Sequence, residues 1–240
     1  MDKQVFRDVD LRGAWFQRVD LRDARMRGVD LSQAEIDGVV DGLMVNGVEV
    51  WPLIDAELDR RYPDRAKLRP TDPAGFREGW DVVERLWAGT VERARRLPEE
   101  MLHESVEGEW SFVQTLRHLA FATDAWVGRV IQGDPSPWHP LDLPFDELGA
   151  VEGVPRDRDV RASLEEVLAL RADRMGMVRR YVDSLTDELL AADTVPVDGP
   201  GWPPAESFPV RECLLIVYNE EWQHRLYAER DLQVLESHHR

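Results

Sequence analysis

The chain has 240 residues, 43% of them hydrophobic, which predicts a folded globular protein with enough core for one large domain or two small ones. Its formal net charge of −17 argues against non-specific binding to nucleic acid or to an anionic membrane, because both need a basic surface. A single cysteine, Cys213, excludes an internal disulfide framework and, with no apolar run of about 18 residues and no leader, indicates a cytoplasmic protein. The basic residues are almost all arginine, which is typical of a GC-rich bacterial genome.

Residues 5–39 repeat with a period of five, and in each unit a small residue stands two positions before a large apolar one. Neither a helix, with about 3.6 residues per turn, nor the alternation of a strand produces this register. A fixed short period instead predicts a solenoid whose successive coils stack like on like. The large series is Phe6, Leu11, Phe16, Leu21, Met26, Leu31 and Ile36, and the small series is Val9, Ala14, Val19, Ala24, Val29, Ala34 and Val39.

The unit Val9-Asp10-Leu11-Arg12-Gly13 resembles those of the pentapeptide-repeat family, although here Val alternates with Ala at the small position. The resemblance implies a short right-handed quadrilateral β-helix with four units per coil. Seven units make fewer than two coils, so we expect this segment to pack on the rest of the protein or to form a homodimer. Some members of the family mimic DNA with an acidic surface. Residues 1–40 do not favour that role, because their seven basic and eight acidic side chains leave a net charge of only −1.

The segment after the repeats is predicted to lead into a linker. Val45-Asn46-Gly47-Val48 indicates a turn between two short extended pieces, and residues 53–60 indicate a short helix that Pro63 ends. We therefore expect three parts: a pentapeptide-repeat-like segment over 1–50, a linker over 51–72, and a helical domain over 73–240.

Four long helices are predicted after residue 72, which makes the chain mainly α and indicates a four-helix bundle. Two of them open on a Ser with Gln or Glu three residues later, the pattern of a capping box. Two long Pro-rich loops, Gly133 to Pro155 and Ala191 to Pro209, are typical of covers over a site. The predicted helices run from residue 73 to before Pro98, from Ser111 to about Ile131, from Ser163 to about Leu185, and from Pro209 to about Leu235.

Glu220 and His224 are the most informative pair in the chain. They stand four residues apart, so on a helix both project from one face and can bind one divalent metal ion. A solvated helix surface is the alternative on spacing alone. His118 lies in another apolar helical segment and is the best candidate for a third ligand, although a lone His there is usually a core residue. Two His and one carboxylate would leave coordination positions open, as a reactive metal site requires.

The stretches 110–119 and 219–225 together resemble the DinB-like four-helix family, and the resemblance covers roughly residues 73–235. That family typically ligates metal through one His on the second helix and two His, four residues apart, on the fourth. Glu220 stands at the first position of that pair. This departure matches the mycothiol-dependent maleylpyruvate isomerase branch, so the resemblance implies zinc held by His118, Glu220 and His224.

The resemblance implies a zinc-dependent thiol S-transferase or isomerase that acts on a small electrophilic substrate, with a mycothiol-type thiol as co-substrate. Two alternatives stay open: a metal-dependent hydrolase that uses bound water, and a non-catalytic stress or interaction protein that binds partners through the solenoid.

Other residues near the predicted ligands have weaker roles. Glu221 is turned about 100° around the helix from Glu220 and is expected to support a ligand or the fold rather than to act as a base. Tyr227 on the last helix is a candidate for lining a substrate pocket. Trp138 and His139, on the first long loop, are candidates for substrate contact, with a simple loop anchor as the alternative.

Overall fold

The computed structural model describes residues 4–238, and its architecture is the predicted four-helix bundle. The helices of the bundle are α2, α3, α4 and α6. A two-stranded antiparallel hairpin and one helix precede them, and the short helix α5 lies between α4 and α6. The elements are β1 Met44–Val45, β2 Val48–Glu49, α1 Trp51–Arg61, α2 Pro73–Ala94, α3 Phe112–Thr123, α4 Leu164–Asp183, α5 Asp187–Leu190 and α6 Val210–His238, with 3₁₀ turns at Pro63–Leu68 and Glu99–His103.

Local sequence signals position the helix starts. The Ser111 and Ser163 side chains each accept a hydrogen bond from the backbone N–H three residues later, while Gln114 and Glu166 accept from the N-cap backbone, so both predicted capping boxes are formed. Asp72 caps α2 in the same way, just before Pro73. Each cap satisfies backbone donors that the first turn of a helix leaves free.

The second bundle helix differs from the prediction in one respect. We expected a continuous α-helix to about Ile131, but α3 ends at Thr123 and continues as a π-helical segment, Asp124–Ile131. Such wider turns are rare and are frequently found at functional sites. Here they contain two fully buried polar residues: Asp124, which pairs with Arg174 on α4, and Arg129, which bonds to both long loops.

Arginines from this helix hold both long loops against the bundle. Arg117 is fully buried and donates to the carbonyl oxygens of Leu141 at 2.7 Å and Asp157 at 2.6 Å. Arg129 donates to Pro135 in the first loop and to Val197 in the second, each at 2.9 Å. Because a buried guanidinium needs partners for its donors, these bonds fix the loops where they cross the helix.

The core lies between the four helices, and α2 and α6 approach each other closely in it. Phe76 and Trp80 on α2 contact the ring of Tyr218 on α6, with ring centroids 5.4 Å apart in both pairs. A Cβ at Gly79 would lie 2.7 Å from the Lys67 carbonyl oxygen and 2.8 Å from the Tyr218 ring, so only glycine permits this spacing. None of the helices in the described residues is sufficiently long and apolar to span a membrane.

Residues 5–40, called the N-terminal coil from here on, are built of turns that repeat every ten residues. The amides of Ala14, Ala24 and Ala34 each donate to the carbonyl three residues earlier. The large apolar side chains of this segment are about half exposed or more, as expected of a solenoid with fewer than two complete turns. The alternation of Val and Ala, a departure from a strict five-residue pattern, follows this ten-residue period.

Candidate metal centre

The structure brings His118, Glu220 and His224 together. Glu220 and His224 lie one turn apart on α6, and His118 reaches them from α3. One carboxylate oxygen, Glu220 Oε2, lies 3.2 Å from His118 Nε2 and 3.1 Å from His224 Nε2. One donor atom from each residue falls within 4.8 Å of the other two.

The backbone of the first long loop orients His118. Its Nδ1 lies 3.0 Å from the Leu143 carbonyl oxygen, which can only accept, so Nδ1 carries a hydrogen. The opposite nitrogen, Nε2, then faces the carboxylate of Glu220. A carbonyl behind the ring is the usual arrangement for a metal-binding His, because it fixes both tautomer and orientation. Sequence reasoning missed this partner, since nothing in the spacing relates Leu143 to His118.

The charges in the cluster are those that a divalent ion requires. Burial would raise the pKa of Glu220, but interactions with the His118 and His224 side chains outweigh it and hold that pKa well below its usual value. Burial lowers the pKa of His224. A charged carboxylate and a neutral imidazole are the protonation states in which both side chains bind metal.

The distances from Glu220 Oε2 to the two Nε2 atoms also fit a tetrahedral metal site. With zinc bonds of about 2.0–2.1 Å, two ligand atoms of a tetrahedral site lie about 3.3 Å apart. The observed 3.1 and 3.2 Å are close to that value. The Glu220 side chain is 30% exposed and that of His224 18%, so both are partly accessible to solvent.

Two aromatic side chains flank the imidazoles. The Trp110 ring lies 4.4 Å from the His118 ring, between centroids, and stacks on His224 at 5.7 Å with 18° between planes. Tyr227 meets His224 edge-on at 5.9 Å, so this candidate for a substrate contact lies beside the cluster. Sequence reasoning missed Trp110. The available signal was its position directly before the N-cap Ser111, where an apolar residue often fixes how the chain enters a helix.

Glu221 faces away from the cluster and forms a buried ion pair. Arg171 on α4 donates through Nη2 to both of its carboxylate oxygens, at 2.8 and 2.9 Å, and both residues are almost fully buried. Burial raises the pKa of Glu221, and the neighbouring guanidinium opposes the rise. The geometry assigns Glu221 to holding α6 against α4.

Trp138 contacts the bundle and His139 contacts its own loop, rather than the three clustered side chains. Trp138 stacks on Phe121, with centroids 5.6 Å apart, and Phe121 in turn lies 6.2 Å from the ring of His118. His139 Nδ1 accepts a hydrogen bond from the Leu141 amide. In this conformation both side chains anchor the loop, and substrate contact by either stays a prediction.

A second buried polar cluster fixes the same loop. The carboxyls of Asp124 and Asp142 are both fully buried and interact with each other, while Arg174 pairs with Asp124 and the His139 amide donates to Asp142. Burial and the nearby charge of Asp124 raise the pKa of Asp142 to about 8. The pair therefore holds a proton at neutral pH, because two adjacent carboxylates would repel each other.

Comparison with protein-family models matches residues 83–228, more than half of the chain, to the DinB superfamily. It also matches residues 5–40 to pentapeptide repeats, in eight copies where the sequence period predicted seven. Both resemblances predicted from the sequence are thereby confirmed. Neither a curated protein nor a solved structure matches the chain.

Proposed function

The chain belongs to the DinB superfamily, and from that premise we propose that it is a zinc-dependent enzyme acting on a low-molecular-weight thiol. The thiol, of the mycothiol type, would be used for S-transfer to, or isomerisation of, a small electrophilic substrate. One observation carries the proposal: a single carboxylate oxygen of Glu220 lies between the Nε2 atoms of two histidines from different helices.

Three protein ligands distinguish a reactive centre from a structural one, which is typically closed by four. His118, Glu220 and His224 would hold the ion, with one negative charge among them. When bound, zinc lowers the pKa of a thiol or water that it contacts, so that the nucleophile is available near neutral pH. The protein's own contribution is to keep His118 oriented through the Leu143 carbonyl and to shield one side of the cluster with Trp110.

Metal analysis of the purified protein tests the site. We expect about one zinc ion per chain in wild type and a large loss of zinc in His118→Ala and Glu220→Ala. His103→Ala is the matched control, because His103 is partly buried but lies on the 3₁₀ turn Glu99–His103, outside the cluster. Wild-type protein that binds no stoichiometric metal would refute the proposal and favour a non-catalytic interaction protein.

A second assay separates a thiol from water as the nucleophile. Zinc-loaded protein is mixed with a generic electrophile, with and without mycothiol or an analogue, and product formation is followed. A rate that depends on the thiol and is lost in Glu220→Ala supports the transferase. A thiol-independent, zinc-dependent hydrolysis would instead assign the centre to the hydrolase class.

A further inference from the structure

The N-terminal coil contacts three elements that surround the candidate metal centre. The first is the loop that leads into α3. Gln17 Nε2 lies 3.5 Å from the Glu107 carbonyl oxygen and 3.4 Å from the Glu109 carboxylate, and Arg18 donates to the Gly108 carbonyl at 3.4 Å. This loop ends at Trp110, whose ring stacks on His224.

The second element is the long loop between the second and third bundle helices. Arg18 forms an ion pair with Asp146, which also pairs with Arg158 at 2.9 Å. Three residues before Asp146, the Leu143 carbonyl accepts the hydrogen bond that orients His118. One arginine of the coil therefore reaches both the loop that holds Trp110 and the loop that holds His118.

The third element is α6 itself. Asp37, near the end of the coil, lies 3.8 Å from Arg230. The Arg230 guanidinium lies over the Tyr227 ring, 5.4 Å from its centroid, and Tyr227 meets His224 edge-on. The coil thus contacts α6 through Arg230, next to Tyr227, as well as the loop that ends at Trp110.

Other polar residues of the coil do not make such contacts. Arg12 pairs with Asp10 and Arg22 with Asp20, in both cases within the coil, at 2.6 Å. Within the coil, Gln17 and Val40 are the only residues that are partly buried. The polar contacts with the helical domain are therefore concentrated at Gln17, Arg18 and Asp37.

We propose that the N-terminal coil is one wall of the entrance to the metal centre, and that Gln17 and Arg18 position the loop carrying Trp110. The coil then acts as part of the substrate-binding region rather than as a separate binding module. The inference deepens the proposed function, since it rests on His118, Glu220 and His224 binding metal. Arg18 is a positioning residue, because it reaches the imidazoles only through the two loops.

The test compares Arg18→Ala with Arg22→Ala in the full-length protein. The two variants remove the same charge from the same coil, but only Arg18 contacts the loops of the site. We expect Arg18→Ala to lose zinc to a chelator about threefold to fivefold faster than wild type, the range that one partly exposed ion pair allows. Arg22→Ala should match wild type, and Arg18→Lys should restore most of the difference.

Hydrogen exchange of the backbone amides at 105–110 provides a readout that needs no metal. We expect these amides to exchange faster in Arg18→Ala than in Arg22→Ala, while the centres of α2 and α4 stay unchanged in both. Metal release and amide exchange that are no faster than in Arg22→Ala would overturn the proposal. If wild type binds no zinc, the proposed function fails, and amide exchange alone decides whether the coil positions the loop.

Discussion

Glu220 and Glu221 are neighbours in sequence, yet we expect substitution of Glu220 to affect metal binding and substitution of Glu221 to affect stability. Glu221 is 1% exposed and its partner Arg171 3%, so Glu221→Gln leaves a buried guanidinium without its counter-charge. Breaking a buried pair in this way costs about 3–5 kcal/mol. That is a large part of the free energy of unfolding of a typical domain, which is about 5–15 kcal/mol. Glu220→Gln affects a partly exposed side chain whose amide can still hydrogen-bond, so the loss should be about 1 kcal/mol or less.

Urea denaturation followed by circular dichroism, with a chelator present, measures the free energy of unfolding of both variants without any contribution from metal. Zinc content is then measured on folded protein. Glu220→Gln should lose zinc and keep its stability, whereas Glu221→Gln should keep zinc and lose stability. A Glu221→Gln protein as stable as wild type would refute the charged pair, because it would show that the Glu221 carboxyl is already protonated beside the Arg171 guanidinium. If Glu221→Gln lost zinc while Glu220→Gln kept it, the assignment of the ligands would be refuted.

Two further predictions concern the fold around the centre. Gly79→Ala should lower the free energy of unfolding by about 1–3 kcal/mol, because its methyl group would overlap Lys67 and Tyr218. Gly89→Ala, in the same helix with open space around it, should raise that free energy by about 0.5–1 kcal/mol. A loss of stability in Gly89→Ala would contradict the argument that the space around the added methyl group decides the effect. The pKa of Asp142 is raised from 3.8 to about 8, so the folded protein binds this proton more tightly than the unfolded chain does. The resulting contribution to the free energy of unfolding is complete below pH of about 4 and is lost as the pH rises through 8. Denaturation between pH 5 and 9 should show a decline of up to about 1.4 kcal/mol per pH unit in wild type and a flatter profile in Asp142→Asn, whereas equal slopes would exclude this carboxyl as the cause.

Most of the secondary structure could be predicted from the sequence because its causes are local. The capping boxes at Ser111 and Ser163 are formed, and the hairpin turn at Asn46-Gly47 lies where the sequence placed it. Each of these features depends on residues within about four positions of one another, which a linear pattern contains directly. The π-helical segment Asp124–Ile131 could not be predicted in this way, because an α-helix has nearly the same apolar pattern.

The candidate centre was predictable only to the extent that its chemistry is local. The four-residue spacing of Glu220 and His224 identified two donors on one helix face, but the meeting with His118 depends on how α3 packs against α6. The apolar helical segment around His118 indicated that partner and the resemblance to a known family supported it, but only the fold brings the three donors within 4.8 Å of one another.

By itself, the sequence determined the helical bundle, the five-residue period of the coil and the pair of donors on the last helix. Only the tertiary structure decided that Trp110 covers the imidazoles, that the Leu143 carbonyl orients His118, and that Arg171 pairs with Glu221. The tertiary structure alone placed Arg18 of the coil against the loops of the centre. The physical reason is distance along the chain. Periodicity and caps reflect interactions between near neighbours, whereas these contacts, apart from that of Trp110 with His118, join residues 25 to 128 positions apart and depend on helix packing and loop paths.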